Sequence, residues 1–153
     1  MKQFSFKAEH SYVAAPADVF PLLCPVREAD YLEGWDYTMI HSESGLAEMG
    51  CIFSTPHHGD QNTIWTVSQY DHSNHLIEFI RVTPGQELVK IAIQLRGVDG
   101  DKTRACIEYT ITPLTKERGS YLENDHEEHF QADMFYWEEA LNYYLTTGDR
   151  LGR

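Results

Sequence analysis

A change of period constrains this chain more than any other feature. Val89, Ile91, Ile93 and Leu95 recur at every second residue, and so do Ala105, Ile107, Tyr109 and Ile111. That spacing is a strand with one dry face and one wet face. After Asn124 the rule changes. At about 100° per residue, His126, Phe130, Asp133, Trp137, Leu141 and Tyr144 fall in one narrow stripe, flanked by Met134, Ala140 and Leu145. Glu128, Gln131, Glu138, Glu139 and Asn142 take the other side. This is a long amphipathic helix. A sheet with one dry face and a helix with one dry stripe hide their apolar surface most simply against each other.

The rest of the chain fits that plan. Gln3 to Val13 alternates, with Phe4, Phe6, Ala8, His10 and Tyr12 on one face, and predicts a half-buried strand. Pro16 and Pro25 suit the first turns of two short helices, Pro21 keeps them apart, and Gly34 suits a stop. From Trp35 to Leu114 the stretches "YTMIHSES", "CIFSTP", "TIWTVSQYD", "LIEFIRVTP", "ELVKIAIQL" and "TRACIEYTIT" are separated by turns, which predicts an antiparallel meander. No linker or repeat divides the text. The expectation is one α+β domain over residues 1–153: a curved seven-stranded antiparallel sheet around a C-terminal helix, with two short helices after the first strand.

Charge narrows the partners. Twelve basic residues face 24 acidic ones, a net charge of -12, which disfavours nucleic acid and stable membrane association. The opening "MKQFSFKAEHSYVAAP" lacks the continuous apolar run of a signal peptide. Cys24, Cys51 and Cys106 are odd in number and widely spaced, the usage of free thiols in a reducing compartment, and the cytoplasm is expected.

Taken in order, these pieces resemble the START/birch-pollen-allergen (SRPBCC) superfamily and its polyketide cyclase/dehydrase-like branch. The resemblance covers nearly the whole chain. "YVAAPADVF" is similar to that superfamily's first strand end and short helix, "TIWTVSQYD" with "LIEFIRVTPG" to its central hairpin, "TRACIEYTITPL" to its last strand, and "MFYWEEALNYYLTTG" to its final helix. The resemblance implies a helix-grip fold with a cavity between sheet and helix, where members bind hydrophobic ligands and some cyclise or dehydrate polyketides. It carries over no catalytic set, because a fold does not fix a chemistry.

Candidate site residues follow from the stripe and the strands. Phe53, Trp65, Tyr109, Phe130, Met134 and Trp137 are expected cavity-wall groups, with core packing as the plain alternative. Asp133 lies on the stripe and must find a partner or take a ligand or acid–base role. His126, on the same stripe, could donate to a ligand oxygen or end the core as a satisfied polar group. "HEEH" lacks the four-residue histidine spacing of a zincin and reads as a helix first turn, with acidic residues at the positive dipole end. "PHHGD" (His57, His58, Asp60) reads as a solvated turn. Neither metal nor cofactor is expected. The facing of Arg81 stays open, and Arg27, Glu28 and Asp30 read as a solvated face or as a polar lid at a cavity mouth. Tyr136 and Tyr143 could pack on the short helices or form a homodimer contact. The leading expectation is a binder of a small, mostly hydrophobic molecule. The alternatives are a cyclase or dehydratase using Asp133 or His126, and a protein-interaction module.

Overall fold

A computed structural model describes residues 1–57 and 61–152. Strand β1 (Phe4–Tyr12) is followed by α1 (Pro16–Val19), a 3-10 turn at Phe20–Leu22 and α2 (Pro25–Glu28). Six strands come next: β2 (Thr38–His41), β3 (Ile52–Pro56), β4 (Asn62–Asp71), β5 (Leu76–Thr83), β6 (Glu87–Val98) and β7 (Lys102–Pro113). Helices α3 (Lys116–Asn124) and α4 (His126–Thr147) complete the described elements. All strand pairs are antiparallel, in the order β1-β7-β6-β5-β4-β3-β2. The expected α+β helix-grip architecture is present.

Register carries the alternation across the sheet. Phe6 faces Tyr109, Tyr109 faces Ile91, Ile91 faces Phe79 and Phe79 faces Val67. One row further on, Val89 faces Arg81, Arg81 faces Trp65 and Trp65 faces Phe53. Cross-strand partners share a face, so this pairing answers the question left open by sequence. Arg81 lies on the inner face with Ile77, Phe79 and Thr83.

Helix α4 is anchored along one border of that face. Strand β1 is an edge, and an edge strand leaves backbone donors and acceptors unpaired. Side chains of α4 supply the partners. The Ser11 N–H donates to Glu138 Oε2 at 2.7 Å, the Val13 N–H donates to Asn142 Oδ1 at 3.0 Å, and Asn142 Nδ2 donates to the Ser11 carbonyl at 2.9 Å. Phe130, Met134, Ala140 and Leu141 are buried beneath the helix. Gly148, at φ 77°, ends it, its N–H donating to the Tyr144 carbonyl at 2.8 Å; a left-handed residue is favourable there only for glycine.

Two features depart from the sequence expectation. The helical region begins earlier, because α3 precedes α4 and the Thr115 hydroxyl caps it by accepting from the Arg118 N–H. The centre of the buried stripe is Phe130, Met134 and Leu141, so Asp133 stands at its edge rather than its middle.

Candidate functional site

Because α4 is held against β1, the opposite half of the concave sheet is left partly uncovered. The segment from α2 to Trp35 closes that half like an awning. Its ties are specific. Tyr31, fully buried, donates its hydroxyl to the Leu22 carbonyl at 2.8 Å, and Trp137 Nε1 reaches the Tyr31 hydroxyl at 3.5 Å. Trp35 Nε1 donates to the Pro25 carbonyl at 2.9 Å, and the Glu33 N–H donates to the Tyr136 hydroxyl at 3.2 Å. From the C-terminal end, Arg150 donates to the Ala29 carbonyl at 2.7 Å.

Under this awning is a cavity of about 340 Å³. Trp35, Trp65, Phe79, Ile91, Ile93 and Trp137 supply most of its apolar wall. The polar groups on it are few: Glu28, Arg81, Tyr109 and Asp133 are the ones that bear on chemistry. An apolar concavity with a few convergent polar groups is the usual form of a small-molecule site.

Adjoining it, towards α3, is a second space of about 380 Å³ with a different wall. Thr55, Thr63, Thr83, Glu87, Arg118 and His126 face it. Arg118 Nε donates to Glu87 Oε1 at 2.6 Å, and Glu87 is buried. The Thr63 and Thr83 hydroxyls lie 2.8 Å apart. Arg81 and Asp133 line both spaces and so stand at their boundary.

The candidate residues separate into three groups. Trp65, Tyr109, Met134, Trp137 and Asp133 line the apolar space, and His126 lines the polar one. Phe53 and Phe130 do not face either space. Phe53 lies beneath Trp65 in a stacked pair with centroids 5.3 Å apart, and Phe130 packs edge-on against Tyr109 at 5.1 Å. They support the wall from behind. Asp133 is paired with His129 at 3.5 Å, and its side chain is 55% exposed. His126 stands edge-on against Phe6 at 4.7 Å, and its Nδ1 is buried without a hydrogen-bond partner among the described residues. Burial, and then the charge of Arg118, push its pKa down. Of the "PHHGD" cluster, His58, Gly59 and Asp60 lie outside the described residues. Tyr136 turns to the cavity mouth, whereas Tyr143 remains exposed on the flank.

Two further groups matter. Glu28 projects from α2 onto the apolar space and makes no side-chain hydrogen bond or ion pair among the described residues. Burial pushes its pKa up to about 8. Its sequence context, "VREAD", reads as solvated because the burial comes from α4 and the sheet, far away in sequence. Arg81 is held between two rings, with Cζ 5.0 Å from the Trp65 centroid and 5.7 Å from that of Tyr109. Burial also raises the Tyr109 pKa, with Arg81 opposing it.

No protein-family model matches the sequence, and no curated protein does either. Solved structures do match over almost the full length. The Zhui aromatase/cyclase from a Streptomyces species has a TM-score of 0.71 at 9% identity, covering 98% of this chain and 100% of that one. Norcoclaurine synthase from Thalictrum flavum, in complex with dopamine and hydroxybenzaldehyde, has a TM-score of 0.63 at 10% identity, covering 95% and 87%. The protein Ara h 8.0201 has a TM-score of 0.64 at 14% identity, covering 95% and 100%. At such identities the likeness is one of fold and leaves the chemistry open. The chain has the helix-grip fold of the START/birch-pollen-allergen (SRPBCC) type.

Proposed function

We propose that this protein binds a small, mostly hydrophobic molecule in the space between the sheet, α4 and the α2–Trp35 awning. The cavity of about 340 Å³, walled by three tryptophans and lying at the heart of the fold, carries this reading. Aromatic walls provide large apolar contact at little conformational cost. The fold neighbour solved with dopamine and hydroxybenzaldehyde is consistent with ligands of this size and type. The ligand-facing set is Trp65, Tyr109, Met134 and Trp137, with His126 and Asp133 at the polar end, and Phe53 and Phe130 acting through the residues they support. Cys24, Cys51 and Cys106 are free thiols, in keeping with a reducing, cytoplasmic setting, and no helix among the described residues is long and apolar enough to cross a membrane.

One observation favours a second reading, acid–base catalysis on the bound molecule. A carboxyl group facing an apolar cavity, with its pKa near neutral, is poised both to give and to take a proton. On this reading Glu28 serves beside Tyr109, with Asp133 or His126 across the cavity.

Native mass spectrometry of protein purified from its own host tests the binding reading, together with melting shifts against an apolar compound library. A co-purified small molecule, or compounds that raise the melting point by mass action, supports it. Protein that is always empty and never stabilised overturns it. Turnover that falls on Glu28→Gln while binding persists would establish the catalytic reading.

A further inference from the structure

Arg81 is the one described arginine whose guanidinium meets no acceptor. Arg27 donates to Asp30, Arg104 to Glu9, Arg118 to Glu87, Arg150 to the Ala29 carbonyl, and Arg96 to Cys106 Sγ. Arg81 donates no hydrogen bond, and no described carboxylate lies within 4.0 Å of it. It is nevertheless partly buried on the inner face, in the wall of both spaces. A guanidinium carries five N–H donors in its plane and cannot shed its charge. Its Cζ lies over the faces of the Trp65 and Tyr109 rings, and the side chain lines both spaces.

The neighbouring acids do not cancel it. Asp133 turns towards His129. Burial raises the Glu28 pKa to about 8, which weakens it as a counter-charge. The result is an uncompensated positive charge inside a chain whose net charge is -12. Its donors are accessible from the space and have no protein partner, and a site that offers such donors discriminates for a molecule that pairs them.

We propose that the ligand is a flat apolar molecule carrying one oxyanion, such as a carboxylate or sulfonate, and that Arg81 is the seat of that group. This rests on the binding reading above and specifies its ligand class. The apolar body lies against Trp35, Trp65 and Phe79, and the oxyanion meets the guanidinium at the boundary with the polar space. The two ring faces beside it favour a cation at this place, and a guanidinium there can meet an oxyanion with a two-pronged hydrogen bond.

A matched pair of fluorescent probes tests this: anilinonaphthalenesulfonate, and phenylnaphthylamine, which has the same aromatic body without the sulfonate. Against a net charge of -12, an anionic probe gains nothing from the protein as a whole, so any preference for it is local. Titration of the wild-type protein should give the sulfonate at least about tenfold tighter binding than the neutral probe. Arg81→Met keeps the apolar stem between the rings and should remove that advantage while leaving the neutral probe within about twofold. Arg81→Lys should recover part of it, since lysine offers charge without the fork. If the neutral probe binds and the sulfonate has no advantage in the wild type, Arg81 is not an oxyanion seat and the cavity reading stands. If neither probe binds, the cavity reading falls and this inference with it. The wild-type comparison decides even if a variant fails to fold.

Discussion

The two spaces beneath α4 are of similar size, yet they handle polarity in opposite ways. In the polar space the Arg118 charge and the threonine hydroxyls are spent on protein partners. Arg118 is committed to Glu87 at 2.6 Å, and Thr63 to Thr83 at 2.8 Å. On the apolar side two groups are uncommitted: Arg81, at the boundary, has rings but no acceptor, and Glu28 has neither. A protein interior normally pairs its polar groups. Paired groups hold structure, and groups left unpaired on a cavity wall await something that the chain does not provide. The lesson is that the quieter, greasier space is the better candidate for function, although the other one holds more polar residues.

Several substitutions would break or sharpen that contrast. The largest effect belongs to the solid part of the interior. Leu141 is fully buried under α4, and Leu141→Ala should cost about 3 kcal/mol in denaturant unfolding, because close-packed neighbours cannot fill the void. Next comes the polar space. Arg118→Met leaves Glu87 buried and unpaired and should cost about 2–4 kcal/mol, with Glu87→Leu added to it restoring most of the loss. A single change that costs nothing would show that the pair is not structural.

Glu28 gives a smaller effect with a defined sign. Its folded pKa of about 8 lies above the ordinary 4.5, so the folded state holds the proton more tightly than the unfolded state does. Its contribution is therefore fully present at low pH and is lost as pH rises from about 4.5 to about 8. Glu28→Gln removes that slope. Unfolding free energies measured at pH 6 and at pH 8 should show the variant gaining on the wild type by about 2 kcal/mol across the interval. Equal curves would mean that the carboxyl is solvated. The smallest effect is expected at Asp133→Asn, within about 0.5 kcal/mol, since an exposed pair with His129 contributes little. A larger loss would give Asp133 a structural role that its geometry does not suggest.

Much of the fold was legible because it rests on period alone. The seven strands, the short proline-started helices and α4 all follow from alternation, turns and the final stripe. Helix α3 was not, since "KERGSYLEN" has few apolar residues and a glycine at position 119, and its cap, Thr115, is a weak sign by itself. The site was only half legible. Trp65, Tyr109, Met134 and Trp137 could be chosen because large apolar residues on an inward period have few places to go. Arg81 could not, because Leu76, Ile77, Phe79, Ile80 and Val82 put apolar groups on both faces of β5, and only pairing with Trp65 fixes the direction. Glu28 was hidden for a related reason. Its environment is made by residues a hundred positions away. Asp133 was placed one step too deep, since neighbouring residues on a helix differ by about 100° and a stripe read from sequence has soft edges.

The central claim is that the space under the awning is hollow and takes up an apolar molecule. Ile91 is buried on the floor of that space, so Ile91→Phe adds bulk where there is room for it and should change stability by no more than about 1 kcal/mol. Titration of neutral phenylnaphthylamine into the wild type and this variant is the most direct test. The account predicts saturable binding of one probe per wild-type chain and its loss in the folded variant. Equal binding by both proteins, or none by the wild type, would contradict it.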